Sequence, residues 1–281
     1  MDKLKYLFVF IVIVAISSCT DTGDSYLNIE TPVVESYLFA DAGLNHFILS
    51  KAIPYTDDGS GELETIDNAD VKITIDGIEY SLSPSSGADG RYALLGESYV
   101  VQANQQVSFE FELNGQIVSG TTVVPTKPTN FAISSTYIYL DKIEVGTHGG
   151  MGDDETIEIT WDNADTSAYY VKMENLESNP DWVNEMMEEM MDDDDFDLEE
   201  TKKMVSKPEN SDIYNVQSRM LMFFGTYRVV LYHINEEYVN MFEQLNNSSN
   251  NMTEPKSNIN NGKGIFTGVA TDTLYFEVYE N

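Results

Sequence analysis

The chain has 281 residues, 42% of them hydrophobic, which is enough for two cores of ordinary size. It carries 48 acidic and 15 basic residues, a net charge of −33. That excess argues against nucleic acid, whose phosphates it would repel, and against lying flat on anionic lipid.

The first residues have the form of an export signal. Lys3 and Lys5 give a basic start, and Tyr6 to Ile16 is an unbroken apolar or aromatic run. The run is shorter than the roughly 20 residues of a spanning helix and has the length of a signal-peptide core. It ends in Ile16-Ser17-Ser18-Cys19, the pattern of a bacterial lipobox, with small residues that fit the narrow cleft of the signal peptidase. On this reading residues 1–18 are a signal peptide and Cys19 receives a diacylglycerol and becomes the mature N-terminus. Residues 19–30 are then a polar tether. Cys19 is the only cysteine, so once acylated the protein has no thiol for a disulfide, a zinc site or a nucleophile. Each buried acyl methylene contributes about 0.8 kcal/mol of membrane affinity, and two or three chains make a lasting anchor.

From Thr31 the pattern is β. Val33 to Phe39 and His46 to Ile53 are rich in β-branched and aromatic residues. Val71, Ile73 and Ile75 alternate with polar residues, and Asp76-Gly77 separates them from Ile78 to Leu82. Val107 to Leu113 and Ile117 to Val124 repeat the arrangement around Asn114-Gly115. Both are hairpin signals. Short strands at this spacing predict a β-sandwich over residues 31–126, of immunoglobulin-like type. Pro125 and Pro128 mark a stiff junction.

A second sandwich is expected over residues 127–281. Phe131 to Tyr139, Ile157 to Trp161, Tyr169 to Met173 and Thr226 to His233 read as its strands. The Trp161, polar turn and Tyr-Tyr-Val order is fibronectin-III-like. Asn235 is placed to cap a helix carrying Tyr238, Met241, Phe242 and Leu245 on one face. Residues 246–262 read as loop, Gly262 to Gly268 as its continuation, and Thr273 to Tyr279 as the closing strand. The fold class is therefore mostly all-β, with two sandwiches, one helical insertion and one helix near the C-terminus.

The insertion, about residues 179–206, is acidic and rich in methionine. Asn179 and Pro180 can start a helix. Trp182, Met186 and Met190 then fall at i, i+4 spacing, as do Val183, Met187 and Met191. The aspartates from Asp192 to Asp195 suit a helix C-terminus badly. Asp197 with Glu200 resembles a capping box for a second helix reaching Met204. Three uses of this segment stay open. It is an amphipathic element packed on the second sandwich, a docking surface of adaptable methionines, or a metal site. Met186 and Met190 would suit Cu(I), and Asp193 and Asp195 would suit Ca²⁺. An EF-hand register from Asp193 places Leu198 and Met204 where glycine and glutamate are required.

The histidines carry no clear chemistry. His148 sits in a glycine-rich hairpin tip, and His46 and His233 lie on expected strands. No Ser-based elbow, phosphate loop or zinc-binding His-Glu-x-x-His occurs, so neither catalysis nor a cofactor is expected.

Four stretches together resemble a known family: "TPVVESYL" with "HFILSKAIPY", "NADVKITIDGIEYSL", "GTTVVPTKP", and "EPKSNINNGKGIFTG". They are similar to the Bacteroidota lipoproteins of DUF4249. The resemblance implies an outer-membrane lipoprotein encoded near a TonB-dependent receptor, and it brings no catalytic residues. The expectation is a lipid-anchored accessory protein that binds such a receptor or its cargo. Contacts are expected at sheet edges, at Trp182, Met186, Met187, Met190 and Met191, and at Gly264 and Phe266 in a "NNGKGIFTG" loop. The rivals are a protein binding or hydrolysing surface glycans or peptides, and a metal-binding lipoprotein.

Overall fold

A computed structural model describes residues 31–52, 64–87, 89–94, 99–144, 155–190, 197–247 and 256–281. The chain is all-β. Among the described residues a thirteen-stranded sheet and a three-stranded sheet hold the fold, with three short helices attached.

The first unit is built from β1 (Pro32–Phe39), β2 (Phe47–Lys51), β3 (Val71–Ile75), β4 (Ile78–Pro84), β5 (Arg91–Ala93), β6 (Gln106–Leu113) and β7 (Gln116–Val123). They run β1-β2-β5-β4-β3-β6-β7 along the large sheet. The two expected hairpins are present. Asp76 and Gly77 have φ of 49° and 84°, and Asn114 and Gly115 have 53° and 79°. Two left-handed residues in succession make a primed turn, whose twist matches that of the strands it joins. The alternating apolar residues point inward, so Val34, Leu49, Val71, Tyr92 and Val107 are fully buried.

The second unit contains β8 (Ala132–Ile133), β9 (Tyr137–Leu140), β10 (Thr156–Thr160), β11 (Ala168–Asn175), β12 (Lys203–Val205), β13 (Ile213–Gln217) and β14 (Gly225–Ile234). The small sheet, β13-β10-β8, places Ile157 and Ile159 against Val171, Met173, Val229 and Leu231 of the large one. The single strand expected over residues 131–139 is two. β8 joins the small sheet and β9 the large one, so the chain changes layers around Ser134. Trp161 is buried in this core beside Tyr169, their rings 5.6 Å apart. The junction between units is pinned by His233, whose Nδ1 lies 2.7 Å from the Thr126 carbonyl and donates to it.

The principal departure from expectation is at the C-terminus. After β15 (Ile259–Asn260) comes β16, which runs from Lys263 to Glu280, 18 residues without a break. At 3.3 Å per residue it is about 60 Å long. Residues 263–269 pair in parallel with β1, 269–278 antiparallel with β14, and 277–280 in parallel with β9. One strand therefore belongs to both units. The expected "NNGKGIFTG" loop is the first half of this strand, apart from the turn at Asn261. Phe266 is fully buried and packs against Phe109 at 4.8 Å and Phe47 at 6.3 Å, in the core of the first unit. Gly264 has φ of 101°, and a Cβ there would strike the backbone of Val34, so glycine is required at this pairing with β1. Opposite β1, the Asn258 side chain brackets Phe266, donating to its carbonyl and accepting from its N–H. The Thr122 hydroxyl accepts from the Gly268 N–H at 3.2 Å. The first unit's sheet thus curls round until β7 and β15 meet β16.

Candidate binding face

In the second unit β11, β14 and β16 use one face for the core and leave the other open. The buried positions alternate with Tyr170, Lys172 and Glu174 on β11 and with Arg228, Val230 and Tyr232 on β14. On β16, Phe276 and Val278 are buried, whereas Tyr275 and Tyr279 are about half exposed. The register puts Glu174 opposite Arg228, Arg228 opposite Tyr275, and Val230 between Lys172 and Thr273. These residues and Tyr232 line an open groove of about 280 Å³.

The charges in the groove are ordered. Arg228 Nη2 donates to Glu174 Oε2 at 2.6 Å, and this hydrogen bond holds the Glu174 carboxyl below the usual carboxylate range. Arg228 Nε is shielded from solvent and has no hydrogen-bond partner. Lys172 makes no ion pair among the described residues.

The aromatic surface continues in both directions. Towards the end of β16, Tyr139 lies 5.4 Å from Tyr279 and 5.8 Å from Tyr137. Tyr137 and Tyr139 are about half exposed. Towards the first unit, Tyr170 stacks on Tyr232 at 4.4 Å with a 6° interplanar angle, and on Tyr238 at 5.5 Å. Tyr238 then meets Tyr37 of β1. It stands on the C-terminal-half helix, Glu236–Asn247. Burial raises the Tyr170 phenol strongly, and burial with the Glu35 charge raises Tyr37 to about 12. Tyr37, Tyr170 and Tyr238 make a well-packed seam between the units, and Tyr232 borders it on the groove side. The open tyrosines beyond it form the accessible face. Tyrosine suits both places, since its ring packs and its hydroxyl tolerates water.

The expected site residues are scattered. Cys19, Met191, Asp193, Asp195 and His148 lie outside the described residues. Trp182 is buried against Phe223, ring centres 4.5 Å apart, and Val183 is buried beside it. The expected helix over residues 180–191 begins only at Glu185, giving α1 (Glu185–Met190). The reason is tertiary: the Val183 N–H bonds the Met222 carbonyl, and the Val183 carbonyl accepts from Ile143. Asn184 Oδ1, rather than Asn179, accepts from the first turn, at Met186 N. Met186 is exposed and Met187 half-buried; Met190 closes the helix backbone. Trp182 and the methionines therefore do not share one helical stripe. The second helix is α2 (Leu198–Thr201), capped by Asp197 as expected, but it stops before Lys203, where the chain pairs with β11 as β12. The insertion is thus anchored at both ends. Gly264 and Phe266 serve the core. Among the described residues no three His, Cys, Asp or Glu groups stand close enough to hold a metal ion.

The open tyrosine face escaped the sequence reading. Its signal is the run Tyr275-Phe276-Glu277-Val278-Tyr279, in which tyrosine takes the solvent positions of an alternating strand.

Two cores threaded by one long strand, with a polar aromatic face left open, define a β-scaffold that presents a surface. The chain matches the family described as a domain of unknown function, DUF4249, over residues 22–274, and it belongs to that family. A comparison with curated proteins gives no match.

Proposed function

We propose that this protein is a lipid-anchored accessory lipoprotein of an outer membrane that captures cargo or a partner for a TonB-dependent receptor and performs no chemistry on it. The observation that carries the reading is the placement of the tyrosine face relative to the chain's N-terminal side. Thr31 and Pro32 lie beside Asn114, Gln116 and Asn261, at the turn end of the first unit. β16 runs parallel to β1 away from that end. Tyr279, with Tyr139 beside it, therefore stands about 50 Å of strand further out. An acyl group on Cys19 would fix the near end and display the far one, and the charge of −33 would hold the body off anionic lipid. The methionines of 186–191, beside the anchored Trp182, are a second proposed contact element.

Mass analysis of the polypeptide from native membranes tests the anchor. The expected mass starts at Cys19 and includes acyl chains. An unmodified sulfur or an intact leader overturns it. Crosslinking in intact cells tests the partner: a receptor recovered with the wild type and lost when residues 186–196 are replaced by glycine and serine, or when Tyr275 and Tyr279 are both changed to alanine, supports the reading. Unchanged recovery with both variants refutes these contacts.

A further inference from the structure

We propose that the groove between Tyr232 and Tyr275 is a saccharide subsite for an acidic glycan, with a sugar ring over the tyrosines and its carboxylate at Lys172 and Arg228. The inference rests on the capture role proposed above and names its ligand.

The groove lies in the interior of a sheet. β11 and β14 each have bonded neighbours on both sides along this stretch, and β16 pairs with β14 there. The backbone groups of β11 and β14 are used, so a ligand seated over them in the groove meets side chains only. The floor, Val230 and Thr273, is shallow. It gives no desolvated pocket for the apolar anchor that usually dominates a protein contact. It does give two aromatic rings, a hydroxyl, a carboxylate and two cations converging on one small volume. A pyranose ring matches that set: its C–H face packs on tyrosine and its hydroxyls take charged hydrogen-bonding partners.

Charge selects among sugars. The chain has 15 basic residues against 48 acidic ones, yet the groove holds two cations and a single carboxylate. Glu174 is committed to Arg228, which leaves Lys172 as the surplus charge. Lys203 on β12 is paired with Glu200 at 2.8 Å, and Glu277 lies further along the face, outside the groove lining. Screening over about 8 Å at physiological salt makes this local set, and not the distant carboxylates, what a bound ligand senses. The Glu174 bond fixes the Arg228 fork in advance, so little side-chain entropy is lost on binding. Tyr275 and Tyr279, four residues apart on one face, are about 13 Å apart along the strand, which extends the subsite towards Tyr139 for a longer chain.

The test is calorimetry with the full-length chain in detergent, using tetragalacturonate, uncharged cellotetraose and a tetraglutamate peptide as probes. The expected result is binding of tetragalacturonate that weakens as salt rises. Tyr275→Ala should weaken it about tenfold. Lys172→Gln should weaken it by a similar factor and flatten its dependence on salt. Thr273→Trp, which fills the floor and removes its hydroxyl, should abolish binding, and unchanged melting curves would show the variants folded. Overturning results are no binding of tetragalacturonate, a preference for cellotetraose or the peptide, or affinity indifferent to all three substitutions. Acylation and receptor crosslinking are read separately. A sugar-blind protein that is acylated and captured in cells sinks this inference alone, whereas a sugar-binding protein without acyl chains sinks the anchored role instead.

Discussion

In its first half, β16 is buried on both faces. Phe266 and Gly268 face the core of the first unit, and Ile265, Thr267 and Val269 on the other face are buried too. In its second half the same strand is buried on one face only: Phe276 and Val278 point in, and Tyr275 and Tyr279 point out. The first half reads as small and apolar residues without alternation, and the second alternates. A position in the first half is fixed by packing from both sides and can serve little beyond stability. An outward position in the second half is free to be chosen for what it meets.

Substitutions in the first half should therefore be severe and those in the second mild. Gly264→Val combines a side chain at φ of 101° with a collision against Val34, and the expected outcome is a chain that does not fold. Phe266→Ala should destabilise by about 4 kcal/mol, through lost transfer energy and a cavity beside Phe47 and Phe109. Tyr279→Ala should change stability by about 0.5 kcal/mol or less. Urea denaturation measures both, and equal effects at 266 and 279 would break the contrast between the two halves.

The insertion sharpens the same point. Trp182→Ala removes a buried ring packed on Phe223 and should cost about 3 kcal/mol. Replacing residues 186–196 with glycine and serine of equal length touches neither Trp182 nor the β12 pairing, so its midpoint should stay close to wild type. If the replacement is as damaging as Trp182→Ala, the middle of the segment is part of the core and not a contact element.

How much of this could be read from sequence follows from the number of buried faces. The hairpins at Asp76-Gly77 and Asn114-Gly115 were legible because turn chemistry and alternation agree there. The first half of β16 was not, since burial on two faces erases the alternation and Gly262, Gly264 and Gly268 imitate a loop. Glycine is needed at 264 for close approach to β1, a long-range cause that no local pattern reports. The helix expected from Pro180 lost its first residues to backbone bonds with Met222 and Ile143, over 30 residues away in sequence. The tyrosine face was present in the text as alternation. It was not distinguished from core because an exposed tyrosine and a buried one have the same letter.

A smaller effect concerns the seam where the units meet. Glu237, in the first turn of the helix Glu236–Asn247, faces the Thr122 hydroxyl of the first unit, and burial raises its pKa above the usual glutamate value. Between the unfolded and folded values the folded state holds more protons, so stability falls as pH rises through that window and returns on acidification. Glu237→Gln should raise the stability at neutral pH slightly, by less than about 1 kcal/mol, and remove this slope. A variant that keeps the slope places the titration elsewhere.

The smallest expected effect separates interior from outer tyrosines by titration. Tyr37, Tyr169 and Tyr227 are each raised to about 12, chiefly by burial. Tyr227 donates to the Phe223 carbonyl at 3.1 Å and accepts from its N–H at 3.2 Å, and hydrogen bonding to the Phe223 backbone offsets part of the rise that burial causes. In the unfolded chain phenols lose their protons around pH 10. The unfolded state therefore binds fewer protons between about 10 and 12, and the fold loses stability as pH rises through that interval. Phenolate absorbance followed in the native state should show a late phase near pH 12 that vanishes in denaturant. Tyr227→Phe should shrink that phase by one residue's worth. A single early phase in the native protein would mean that the seam admits water and that the two kinds of tyrosine are not distinct.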